Sequence, residues 1–155
     1  MISNSIEVAQ LLALPVILLV VAAIAAPLIQ VGPLFTAETI KPKFSKIDGM
    51  KIVIDPGNGA AAGVASSLFE KMGAKVRTIN DEPDGRFPNR PSEPSAKNLK
   101  DLSEMIKKGD YNFGIGFDGD ADRCVFVDDN GEVVKTEKSG LIMAKNILKN
   151  DKLLL

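Results

Sequence analysis

The chain has 155 residues, 45% of them apolar, enough for one globular domain with its own core and hardly for two. A formal net charge of −1, with no dense Lys/Arg run, supplies no field to gather a polyanion and argues against a nucleic-acid partner. With no histidine and a single cysteine, Cys124, the sequence excludes an internal disulfide, a His-based catalytic dyad and a zinc centre.

The first element is LLALPVILLVVAAIAAPLI, residues 11–29, which carries no charge and no polar side chain. At about 1.5 Å rise per residue it matches a hydrocarbon core about 30 Å thick, so it reads as an apolar N-terminal helix able to insert in a membrane. Pro15 and Pro27 would kink or end that helix. No Lys or Arg precedes it, whereas Lys41, Lys43 and Lys46 lie on its C-terminal side. By the positive-inside rule this places the C-terminal part of the chain in the cytoplasm, anchored through residues 11–29. Burial of the segment against a partner, or a misjoined coding region, are the competing readings. Residues 30–46, with two prolines and a glycine, read as a linker, and residues 47–155 as an α/β domain.

Within that domain KIVID, 51–55, is a short β-rich run ended by PGNG. AAAGVASSLFEKMG predicts a helix stopped at Gly73, and AKVRTI a second strand, which together make a β-α-β unit. SAKNLKDLSEMIKK, 95–108, predicts a helix with Ser95 as N-cap, Leu99, Leu102, Met105 and Ile106 on one face, and Gly109 at its end. YNFGIGF and CVFVD are strands, Asn130-Gly131 is a hairpin signal leading into GEVVK, and EKSGLIMAKNILK is an amphipathic helix. The pattern is α/β: a mixed, mostly parallel sheet covered on both faces. Ligands gather at the carboxyl ends of such strands, so PGNG, NDEPDGRFPNRPSEP and DGDADR should share one edge.

DGDADR puts Asp118, Asp120 and Asp122 in one tight loop between apolar runs. Their mutual repulsion calls for a cation, and carboxylate oxygens suit a hard ion, Mg²⁺ first. Gly119 allows a sharp turn, Ala121 is small, and Arg123 sets a permanent guanidinium beside the metal, an arrangement suited to phosphate. An EF-hand reading fails, because Arg123 and Asp129 stand where Gly and Glu are needed and a strand comes next. A haloacid-dehalogenase-type phosphatase fits Asp118 and Asp120 but not Asp122, and a hairpin replaces its helical cap. Arg86 and Arg90 read as solvated loop residues more readily than as phosphate contacts. Asp128 and Asp129 read as the start of the hairpin turn, Cys124 as a core residue rather than a nucleophile, and Asn58 and Gly59 as loop-shaping.

Three segments in order, DPGNGAAAG (55–63), EPDGRFPNRPSEP (82–94) and DGDADR (118–123), closely resemble the second domain of the α-D-phosphohexomutase family, whose members are phosphomannomutases, phosphoglucomutases and phosphoglucosamine mutases. The resemblance covers residues 47 to about 150. It implies a three-layer α/β/α sandwich, one of four domains in the enzyme. By the same resemblance Asp118, Asp120 and Asp122 are Mg²⁺ ligands and Arg123 lies near the phosphoryl group that moves between the 6- and 1-hydroxyls of a hexose phosphate. The family's phosphoserine motif, Thr-Ala-Ser-His-Asn-Pro, its sugar-reading Gly-Glu-x-Ser-Gly and its phosphate-binding loop are not found in the sequence; Glu137-Lys138-Ser139-Gly140 lacks the leading glycine. The expectation is a metal-binding domain of an intramolecular phosphotransferase, inactive without domains I, III and IV. The alternatives are a membrane-tethered, non-catalytic remnant or binding module, and a Mg²⁺-dependent phosphatase with Asp118 as nucleophile.

Overall fold

The computed structural model describes residues 47–150. The apolar segment 11–29 and the linker 30–46 therefore lie outside the described residues, as do the expectations of membrane insertion attached to them. Among the described residues, no helix is long and apolar enough to cross a membrane.

The order of elements is β1 (Lys51–Asp55), α1 (Val64–Lys71), β2 (Lys75–Thr78), α2 (Lys100–Lys108), β3 (Phe113–Phe117), β4 (Cys124–Val127) and α3 (Thr136–Asn150). The strands form one sheet in the order β2-β1-β3-β4. β1 runs parallel to β2 and to β3, while β4 is antiparallel to β3. Beyond β4, the turn at Asn130-Gly131 forms as expected: Asp128 Oδ1 accepts the N–H groups of Asn130 and Glu132. The returning GEVVK contributes only an isolated bridge from Val133 to Val127.

Side-chain alternation explains why both faces are covered. On β1, Ile52 and Ile54 join the cluster built from α1 residues Ala65, Leu68 and Phe69, whereas Val53 points to the other face and packs with Leu99, Leu102 and Ile106. β3 obeys the same rule with Phe113, Ile115 and Phe117 on the α1 face. Its Gly114 and Gly116 lie on the α2 face, where a Cβ at Gly116 would fall 2.5 Å from Leu99 Cδ2, so the bare backbone lets α2 settle close. Ile142 of α3 joins the α1-side cluster. The helices thus cover the sheet from both sides, and a strand buried on both faces must read as a continuous apolar run, as IVI does in β1.

Two helix starts differ from the sequence-based expectation. The first helix begins at Val64, because Gly63 is left-handed at φ 69° and its N–H donates to Asp81 Oδ1 from the loop after β2. The second begins at Lys100 with Leu99 at its N-cap position; Ser95 contributes its carbonyl oxygen, which accepts the Asn98 and Leu99 N–H groups, rather than a capping hydroxyl. A separate turn therefore precedes α2, and it delivers Leu99 fully buried against β3.

Candidate metal centre

β1 lies between β2 and β3: the chain runs from β1 through α1 to β2 on one side, then from β2 through α2 to β3 on the other. The carboxyl end of β1 is thus the switch point where loops diverge and leave a crevice. The loops after β1, β2 and β3 do meet there. Asn58 N–H donates to Asn80 O at 2.8 Å, Asp84 N–H donates to Asn58 O at 2.9 Å, and Ala60 N–H donates to Gly119 O at 2.9 Å. Gly59 makes that last approach feasible, since a Cβ on it would sit 2.6 Å from Gly119 O. Asn58 shapes the loop as expected: it is buried at φ 62°, donates Nδ2–H to Glu82 O and accepts from Asn89 Nδ2.

Backbone strain is concentrated on this edge. The non-glycine residues with positive φ among those described, Asn58, Asn80, Phe87 and Ala121, all lie in these three loops. Each such conformation costs free energy that surrounding contacts must offset, and here they gather at one edge of the sheet.

Asp118, Asp120 and Asp122 come together: each offers a carboxylate oxygen lying within 4.8 Å of the others. Asp118 is 2% exposed, while Asp120 and Asp122 face solvent. Asp118 Oδ1 accepts the Arg123 N–H at 3.1 Å, but its buried Oδ2 has no hydrogen bond. Arg123 Nε is 2.8 Å from that oxygen, close enough for an ion pair, without the alignment of a hydrogen bond. Burial is the chief reason the Asp118 carboxyl is pushed above the usual carboxylate range. The Arg123 N–H opposes that shift, while Asp122 and the charge of Asp120 reinforce it. A buried carboxylate oxygen with an ion pair but no hydrogen bond, set in a cluster of like charges, fits a hard cation by its donor chemistry.

Arg123 is exposed and lies against the acidic cluster. Its Nη1 donates to Glu93 Oε2 at 2.8 Å and its Nε to Asp122 Oδ1 at 3.3 Å. Glu93 first, then Asp118 and Asp122, push its pKa further up, so it is a permanent cation. A cavity of about 320 Å³ opens beside it, with Glu93, Asp122 and Arg123 at one side and Val125, Phe126 and Val134 among its apolar walls.

Arg90 corrects the expectation from sequence. It is 6% exposed, neither solvated nor available to phosphate, and pairs with Asp55, itself 1% exposed, through Nε–H to Oδ2 at 2.7 Å. Arg86 is exposed as expected and pairs with Asp84. Sequence reasoning missed Asp55 and Glu93. For Asp55 a signal existed, an acid closing the apolar run of residues 52–54, which demands a buried partner.

Cys124 packs partly buried against the core, as expected, and its thiol is pushed up to about 12, mainly by burial and then by the Asp118 charge. It therefore stays protonated near neutrality and is no nucleophile. Alkylation by iodoacetamide at pH 8 should be at least tenfold slower than for a free thiol and should become fast in denaturant; equal rates would contradict this burial.

The fold is a three-layer α/β unit with an acidic loop at the carboxyl edge of its parallel strands. The family model "Phosphoglucomutase/phosphomannomutase, alpha/beta/alpha domain II" matches residues 34–131, and the chain belongs to that family. A second model, "FlhB HrpN YscU SpaS Family", matches residues 1–54. Among curated proteins, a phosphoglucosamine mutase of Caldicellulosiruptor bescii is 44% identical over 105 residues, covering 68% of this chain and 23% of that protein. A phosphoglucomutase/phosphomannomutase of Thermococcus kodakarensis is 35% identical over 133 residues, 79% of this chain and 29% of that protein. The crystal structure of a phosphoglucomutase/phosphomannomutase family protein from Burkholderia thailandensis superposes with a TM-score of 0.60 at 29% identity, over 71% of this chain and 26% of that one. The chain thus spans about a quarter of the length of the relatives it matches.

Proposed function

We propose that this chain supplies the divalent-metal loop of a phosphohexomutase, with Asp118, Asp120 and Asp122 holding Mg²⁺ and Arg123 facing the phosphoryl group of a hexose phosphate. The observation that carries this reading is Asp118 Oδ2, buried and without a hydrogen bond inside the carboxylate cluster. Bound there, Mg²⁺ would act as a Lewis acid toward phosphoryl oxygens. The chain's own residues do the rest. Asp118 is fixed through its Oδ1 to the Arg123 backbone, so the loop presents its carboxylates from a rigid root. Asp120 and Asp122 face solvent and can adjust to the ion. Arg123, steered by Glu93 toward the 320 Å³ cavity, adds a fixed positive charge where charge on the transferring group develops.

In this reading residues 47–155 form the mutase domain and residues 1–46 a separate apolar segment and linker, with hexose phosphate bound only in concert with mutase domains I, III and IV. The chain by itself would then not turn over. A buried, backbone-tied Asp118 is better placed to hold an ion than to attack phosphorus, which favours this role over the phosphatase one.

Isothermal titration of the full chain with Mg²⁺ tests the proposal. Saturable binding near one ion per chain is expected, lost by at least a hundredfold in Asp120→Asn; binding that survives that substitution unchanged would sink the assignment.

A further inference from the structure

Arg90 lies beneath the acidic loop, and its guanidinium is completely satisfied. Nε–H donates to Asp55 Oδ2 at 2.7 Å, and Nη2 donates to Phe117 O at 2.6 Å and to Asp55 O at 3.2 Å. Nη1 donates to Pro91 O at 3.0 Å and to Ser92 O at 3.3 Å. These five bonds use all five N–H groups of the planar fork. Asp55 is equally committed, its Oδ1 accepting the Gly57 N–H at 2.8 Å and Asn80 Nδ2–H at 3.0 Å. The pair therefore ties together the end of β1, the loop after β1, the loop after β2 and the end of β3. Gly57 gives it room, because a Cβ there would overlap the guanidinium.

Phe117 is the residue before Asp118. The neighbouring loops hold the segment 117–123 through its backbone carbonyls, Arg90 on Phe117 O and the Ala60 N–H on Gly119 O. The first fixes the root from which Asp118 projects, and Asp118 is the one fully buried member of the carboxylate cluster.

We propose that Arg90, oriented by Asp55, is a positioning residue for the metal loop: it sets the direction of the Phe117 carbonyl and thereby the point at which Asp118 delivers its carboxylate. The ion itself rests on the reading given under Proposed function; the control of loop geometry does not. Lysine keeps the charge that Asp55 needs, yet a single ammonium cannot reach Asp55 Oδ2, Phe117 O, Pro91 O and Ser92 O from the directions the fork serves. Groups that orient metal ligands without touching the ion typically change affinity by about 10–100-fold when replaced.

The test uses the full chain with Mn²⁺ as a paramagnetic stand-in for Mg²⁺, free ion being counted by electron paramagnetic resonance. Arg90→Lys should weaken Mn²⁺ binding at least tenfold. The double variant Asp55→Asn/Arg90→Met removes both buried charges, so it should recover most of the stability that Arg90→Met loses while still binding Mn²⁺ at least tenfold more weakly than wild type. A purely structural role would not separate those two readouts. Amide hydrogen exchange without metal supplies an independent one: the Ala121 and Arg123 amides should exchange at least tenfold faster in both variants, with β1 amides unchanged. Wild-type Mn²⁺ affinity together with wild-type loop exchange in either folded variant overturns the proposal. If the wild-type chain binds no Mn²⁺ but its loop amides are loosened by the substitutions, the metal reading has failed and the positioning role is supported.

Discussion

Asp118→Asn is expected to strengthen the fold of the metal-free chain while erasing its response to Mg²⁺, two effects of opposite sign from one oxygen. The wild-type side chain is almost fully buried and leaves Oδ2 without a hydrogen bond beside two further carboxylates. Relieving an unsatisfied buried acceptor is worth about 1–3 kcal/mol. Asparagine keeps Oδ1 for the Arg123 N–H, and Arg123, being exposed, can turn its side chain toward Glu93 alone. In EDTA at pH 7, urea unfolding should therefore show the variant as the more stable of the two. Added Mg²⁺ reverses the order, because an ion at a hundred times its Kd stabilises the state that binds it by about 2.7 kcal/mol and the variant cannot profit. A variant less stable than wild type in EDTA would mean that the Arg123 contact outweighs the burial cost.

The pH dependence arises from the same carboxyl. Its pKa is raised on folding, chiefly by burial, so the folded chain binds the proton more tightly than the unfolded chain does. The contribution of Asp118 to metal-free stability is therefore fully present below the unfolded value of 3.8 and is lost as pH rises through the higher folded value. The wild-type minus Asp118→Asn difference in unfolding free energy should decline across that window and level off above it.

Arg90→Met should carry the largest stability cost of any single substitution at the site, about 3–5 kcal/mol, because it leaves Asp55 as an uncompensated buried charge. Phe117 O, Pro91 O and Ser92 O lose their guanidinium donors at the same time. Denaturant unfolding of the variant measures the loss directly, and a midpoint close to wild type would show that water reaches Asp55. Arg86→Met is the contrast: that guanidinium is 87% exposed, and its pair with Asp84 is of the solvated kind that contributes little.

The difference between those two arginines also separates the local from the long-range part of the fold. Both stand in a proline-rich loop between two predicted elements, and by residue type both read as solvated. Arg90 becomes buried only because the loops after β1 and β3 close over it, an event set by strand order rather than by its neighbours in sequence. The strands were legible because buried parallel strands must be short apolar runs stopped by turn residues, as in KIVID and its PGNG. The acidic loop was legible because three carboxylates between apolar runs repel one another unless a cation neutralises them. The helix starts were not, since Gly63 and Leu99 take their positions from Asp81 and from the flat glycine face of β3, both distant in the chain. Family membership agrees with the fold class read from the strand and helix pattern, while residues 1–46 lie outside the described structure.

The order β2-β1-β3-β4 has a temporal consequence for a chain made from its N-terminus. β1 can pair with β2 as soon as both have left the ribosome, but its other edge waits for β3; the Lys51 N–H finds its acceptor on Asn112, 61 residues later. Until then one side of the innermost strand is uncovered, and the guanidinium of Arg90 has no Phe117 carbonyl to hold. Synthesis must therefore pass β3 before the acidic loop can acquire its shape, so the edge that carries this loop is assembled among the last parts of the domain, after the first β-α-β unit has had time to form.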